Sequence, residues 1–176
     1  MKRENNDNTS KNILIEEFLS EHYEFRYNTV LHRAEYRPRG TEDYVAIDRY
    51  RINTLKRALN KDADVQTSSE NLYSIIESDF SLRINPVQAY FHSLPAVKQG
   101  AVTALADCVS VANPEKWREY LTKWLVAVVA NAMDDKQCCN HTCLVLTGEQ
   151  GKFKTTFLDL LCPPALSDYR YTGKIY

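Results

Sequence analysis

Residues 142–161, TCLVLTGEQGKFKTTFLDLL, constrain the fold of this chain more than any other stretch. A short apolar run, Cys143-Leu144-Val145-Leu146, leads into a glycine turn, Gly148-Glu149-Gln150-Gly151-Lys152-Phe153. Lys154, Thr155 and Thr156 follow, then Phe157, Leu158, Leu160 and Leu161 in a helix-like pattern. Buried strand, glycine loop, lysine plus hydroxyl, helix is the order of a phosphate-binding loop. A triphosphate needs several backbone N–H donors turned into one concavity, and glycines let the backbone close around it. The first turn of the next helix adds unpaired N–H groups and a positive dipole end.

On this reading Gly148 and Gly151 shape the turn and Lys154 reaches the β and γ phosphates of ATP. The Thr155 hydroxyl ligates Mg²⁺, and Thr156 completes the cofactor-binding set. The usual pattern is G-x-x-x-x-G-K-[ST], and Phe153 stands where its last glycine belongs. If that position needs a left-handed backbone, phenylalanine costs about 1–2 kcal/mol there. A βα turn with a chance glycine pair and a chance lysine fits the same residues without any phosphate.

The 176 residues allow one domain or two small ones. Hydrophobic residues are 44 % and charged residues 26 % of the chain, which fits a globular protein rather than a disordered one. The net charge is −1, so any nucleic-acid affinity must come from a local patch. Five cysteines and a polar start with no apolar core behind it point to reduced thiols in a cytoplasm. The longest apolar stretch, Trp124 to Ala130, is too short to span a bilayer, so no membrane partner is expected.

Taken in order, residues 1–11 are polar and read as a disordered tail. Residues 12–84 read as an α+β region. Asn12 caps a helix over 13–21 with Ile13, Leu14, Phe18 and Leu19 on one side. The alternation from Tyr23 to Arg37 predicts a hairpin turning near Asn28-Thr29, or two short strands, with a further strand over 44–47. A helix follows over 48–60, and another that Ser69 caps. Basic residues outnumber acidic ones between Arg26 and Arg57, and Tyr27, Tyr36, Tyr44 and Tyr50 are interleaved with them. Such a surface can hold a nucleic-acid strand by phosphate contacts and stacking. A solvated face with tyrosines in a minor core is the plainer account of the same residues.

Residues 85–176 read as a helical segment plus the start of an ATPase domain. Pro86 begins a helix and Pro95 stops it. Another helix is expected over 97–109, with Val97, Ala101, Leu105 and Cys108 inward. The strongest pattern opens at Asn113-Pro114 and runs to about Met133. Trp117, Tyr120, Leu121, Trp124, Leu125 and Val128 recur at helical spacing, and its second half is apolar nearly all round, which predicts burial. Cys138, Cys139, His141 and Cys143 do not have the spacing of the usual zinc ligand pairs. The residues after Thr156 supply one helix, a stop at Pro163-Pro164 and a strand near 169–171. No acid-tipped strand that could hold Mg²⁺ lies among them, so the chain reads as cut off inside its ATPase domain.

Three features together resemble the virulence-associated protein E family: Asn85-Pro86-Val87-Gln88-Ala89-Tyr90-Phe91, Trp124-Leu125-Val126-Ala127 in a long helix, and CLVLTGEQGKFKTTFLDLLCP. Members of that family are P-loop ATPases of phages and mobile elements, related to superfamily 3 helicases and poxvirus-type primase-helicases. The resemblance implies Gly148 and Gly151 as turn glycines, Lys154 as the phosphate lysine and Thr155 as the magnesium hydroxyl. It also implies DNA as a partner of the full-length protein and a homo-oligomeric ring. The expected fold is an α+β N-terminal region, then a helical segment, then the first βα unit of a P-loop α/β NTPase domain. The expected function is the N-terminal part of a helicase-like replication ATPase that binds ATP–Mg²⁺ and is not catalytic by itself. The alternative is a non-enzymatic nucleic-acid-binding or assembly module with a vestigial phosphate loop.

Overall fold

The computed structural model describes residues 2–96, 99–134, 142–171 and 173, with the backbone alone for residues 2–9. The chain forms two compact units, Met1–Pro86 and Val87–Tyr176.

The first unit opens with helix α1 (Lys2–His22), which starts nearer the terminus than the apolar spacing indicates. Ile15, Phe18 and Leu19 are its buried residues, whereas Ile13 and Leu14 are half exposed. The hairpin comes next, with strand β1 (Tyr23–Asn28) antiparallel to β2 (Arg33–Pro38). Asn28 accepts from the N–H groups of Val30 and Leu31, which folds the turn. Strand β3 (Val45–Ala46) pairs with β2, and helix α2 (Arg49–Asp62) follows. The Asp48 side chain caps α2 by accepting from Arg51 N–H at 2.8 Å. Helix α3 (Ser69–Ile76) is capped by Ser68, one residue before the predicted cap. Strand β4 (Leu82–Ile84), which the sequence reading did not anticipate, runs parallel to β1 and completes the order β3-β2-β1-β4.

The strand register sorts the side chains. Tyr23, Phe25 and Tyr27 lie opposite Pro38, Tyr36 and Ala34 and pack with the helices. Their core partners include Ile52, Leu55 and Leu59 of α2 and Leu72, Ile75 and Ile76 of α3. Helix α2 presents these residues at i, i+3, i+7 and α3 at i, i+3, i+4, so each buries one stripe. The alternate positions of β1 and β2 put Glu24, Arg26 and Asn28 against Arg37, Glu35 and Arg33 on the other face.

The second unit contains α4 (Pro86–Ser93), α5 (Ala101–Asp107), α6 (Pro114–Met133), α7 (Lys154–Leu161) and a 3₁₀ turn (Pro164–Tyr169). The 3₁₀ turn ends where a strand near 169–171 was expected; a proline opens it, and no strand among the described residues pairs with it. Asn113 caps α6 through Lys116 N–H, with Pro114 at the first position. Trp117 and Leu121 are buried and pack with Ala106 of α5. Trp117 Nε1 also donates to Ala106 O at 2.9 Å, which locks α6 to α5. Two inward positions expected in α5, Ala101 and Cys108, are exposed, and Val97 lies outside the described residues. The second half of α6 is likewise not buried: Val126 is 64 % exposed, and Val128 and Val129 are also exposed. The architecture is a mixed α+β fold with a single four-stranded sheet among the described residues. No described helix is long and apolar enough to cross a membrane.

Candidate functional site

The candidate phosphate loop hangs between two anchors on one cluster. Leu144 and Leu146 precede it and Phe157 follows it, and all three pack against the group formed by Ala106, Trp117 and Leu121. The Phe157 and Trp117 rings lie 6.1 Å apart and tilted. Between the anchors the backbone turns left-handed at Gly151 (φ 82°) and again at Phe153 (φ 54°, ψ 24°). Gly148, at φ 146°, also occupies a region that favours glycine.

Phe153 therefore does hold the backbone that the motif reserves for glycine. It is the residue just before α7, and its ring is 78 % exposed. The first intrahelical bond runs from Phe157 N–H to Phe153 O at 2.9 Å. That leaves the N–H groups of Lys154, Thr155 and Thr156 outside the helix's own bonding, pointing off its start. Lys154 folds back over the loop, and its ammonium donates to Gly148 O at 3.0 Å and Glu149 O at 2.6 Å. Thr155 and Thr156 are exposed. The exposed Lys152–Glu149 pair at 3.6 Å adds little.

The loop and helix are present, but the buried strand expected before them is not. Residues 143–146 have no regular secondary structure and alternate in exposure, Leu144 and Leu146 inward and Cys143 and Val145 outward. No strand among the described residues pairs with this segment. A strand exists through its neighbour's hydrogen bonds, and without one the apolar residues can only lean on α5 and α6. The expected βα unit of a P-loop domain is thus reduced here to an irregular lead, a loop and a helix.

These residues fit a nucleotide–magnesium ligand. The donors are the open N–H groups at the start of α7 and the Lys154 ammonium, both suited to phosphate oxygens. Among the described residues no group of three His, Cys, Asp or Glu side chains could hold a metal. Mg²⁺ would then take oxygens from the phosphates, from water and from Thr155, which is its ordinary habit. Cys138, Cys139 and His141 lie outside the described residues.

The basic, tyrosine-rich segment is arranged differently from a stacking platform. Tyr27 and Tyr36 face the core rather than solvent. Tyr44 lies beneath two guanidiniums, 4.0 Å from Arg26 and 4.5 Å from Arg37. Tyr50 alone of the four is strongly exposed. The arginines are ordered by two glutamates. Arg26, Arg33 and Asn28 all donate to Glu35, which is 2 % exposed. Burial pushes the Glu35 carboxyl up, but these three donors outweigh it and hold the group below the ordinary carboxylate range. Glu24 receives Arg37 at 2.6 Å, Arg39 at 3.5 Å and the Tyr44 hydroxyl at 3.2 Å. The Arg37 hydrogen bond is the main reason its carboxyl is also held low.

The sequence named the arginines but not this pairing. The signal was present in the alternation, which puts Glu24, Arg26 and Asn28 on one face of β1.

Comparison with curated proteins and with solved structures returns no match. A family model does match, over residues 96–174, and it describes a virulence-associated protein E-like domain. The Asn85–Phe91 motif lies before the matched span. The candidate loop lies within it, between the two anchors on the α5–α6 cluster. Residues 96–174 of this chain are a virulence-associated protein E-like domain.

Proposed function

We propose that this chain binds ATP–Mg²⁺ through the loop from Gly148 to Thr156, as part of a helicase-like replication ATPase of a phage or mobile element. The observation that carries the reading is the position of Lys154. Its ammonium lies across the loop on the carbonyls of Gly148 and Glu149, beside the open N–H groups at the start of α7. A triphosphate entering there exchanges two neutral acceptors for charged ones, and charge-assisted bonds are about twice as strong. The N–H groups of 154–156 bind phosphate oxygens, and Thr155 offers its hydroxyl to Mg²⁺. The family match supports the same assignment, because it spans the whole loop. DNA as partner and a ring of identical subunits belong to the full ATPase in this proposal.

Calorimetric titration with ATP–Mg²⁺ tests it. The wild-type chain should bind, and Lys154→Ala should weaken binding by at least about tenfold, the loss of one charge-assisted contact. Equal binding by the two proteins would overturn the assignment.

A further inference from the structure

The edge of the first unit's sheet carries a feature that the phosphate loop does not account for. Strand β4 pairs with β1 only at Arg26, Tyr27 and Asn28, so no strand among the described residues pairs with the start of β1 on that side. A cavity of about 280 Å³ opens beside it. Tyr23, Phe25 and Phe80 form an aromatic wall, and Glu24, Arg39 and Tyr44 supply the polar side. The Phe25 and Phe80 rings are 5.4 Å apart, so the wall is packed.

The charged residues of the cavity lining are Arg39 and Glu24, and further arginines lie on the adjoining sheet face. Arg37 and Arg39 share the single carboxylate of Glu24, and Arg26 and Arg33 share that of Glu35. Four guanidiniums against two carboxylates leave an excess of two positive charges on one sheet face. Glu42 and Asp43, both exposed in the loop before Tyr44, bring the formal count of the wider region to zero, so the positive excess is confined to the sheet face itself. A guanidinium has five N–H donors. Arg39 uses Nε on Ser20 O and Nη1 on Glu24, and it remains half exposed. Arg33 and Arg37 lie four residues apart on the same face of β2, about 13 Å along the strand. The glutamates fix all four arginines in place before any ligand arrives, which lowers the ordering cost of binding.

We propose that this cavity and its arginines bind single-stranded nucleic acid. One unstacked base enters between the aromatic wall and the Arg39–Tyr44 side, and flanking phosphates rest on Arg33, Arg37 and Arg39. An aromatic recess beside a cationic track is the chemistry that holds single strands, because every base has a π face and every nucleotide a charge. A duplex keeps its bases stacked and cannot fill the recess.

The test is fluorescence anisotropy of the full chain, without nucleotide, using labelled oligo(dT), oligo(U) and a DNA duplex. Three phosphate contacts on a single strand give a salt slope of about −2, or roughly twentyfold weaker binding from about 50 to about 200 mM salt. Replacing Arg33, Arg37 and Arg39 by glutamine should weaken binding by at least about tenfold at the lower salt. Glu42→Gln with Asp43→Asn leaves those arginines intact and should tighten it about threefold. The better of oligo(dT) and oligo(U) identifies DNA or RNA as the ligand. Failure of both single strands to bind at low salt would overturn the proposal. So would a duplex that binds as tightly, or charge-gain and charge-loss variants that bind like wild type.

Discussion

Phe153 holds a left-handed backbone, and Glu35 sits 2 % exposed on the solvent face of a sheet. The first was legible in the sequence, because the phosphate-loop pattern states which position needs glycine. The second was not. A glutamate in an alternating strand reads as outward and solvated, and this one does point outward, but Arg26 and Arg33 fold over it. For Phe153→Gly, relief of strain is worth about 1–2 kcal/mol. The added freedom of the unfolded chain takes back about 0.5–1 kcal/mol. The variant should be more stable, by up to about 1.5 kcal/mol, visible as a raised denaturant midpoint with unchanged slope. Glu35→Ala removes the shared partner of two arginines and should cost about 3 kcal/mol. The folded-state pKa of Glu35 is depressed, so its contribution is complete above the ordinary value of 4.5 and is lost as pH falls through the lower folded value. Wild type should lose stability over that acid window more steeply than Glu35→Ala, as followed by urea melts at each pH.

Helix α6 shows how far periodicity carries at the scale of an element. Its existence, its cap at Asn113 and its Trp117–Leu121 stripe all follow from spacing. Burial of its second half does not, because apolar residues state a preference while burial needs a neighbour to provide the cover. Val126 is 64 % exposed and Leu121 is fully buried on the same helix. Leu121→Ala should therefore cost about 2–5 kcal/mol, whereas Val126→Lys should change stability by no more than about 0.5 kcal/mol. Thermal melts of the two variants check the contrast. Residues 143–146 teach the same lesson: their alternation is strand-like, yet no partner among the described residues makes them a strand. Strand β4 is the converse case. Three residues have too little pattern to be recognised, and their partner β1 lies far away in sequence.

On the scale of the whole molecule, each unit has its own cluster of buried side chains. The first draws on α1, α2, α3 and the hairpin, while the described core of the second centres on Ala106, Trp117 and Leu121. Amides of α2 and α3 should accordingly exchange more slowly than those of α6 and α7, since opening energies follow buried contacts. The family of residues 96–174 was legible from the loop and the helix before it, because their chemistry depends on order and spacing. The cavity beside β1 was not, because it arises from where β4 stops pairing, which no local pattern encodes.

The central claim concerns the N–H groups from Lys154 to Thr156, and hydrogen–deuterium exchange reads those groups themselves. With ATP–Mg²⁺ added near the wild-type Kd, exchange over this segment should slow in the wild-type chain and slow far less in Lys154→Ala. Nucleotide binding with no slowing there would contradict the account, because the triphosphate would then be held somewhere else.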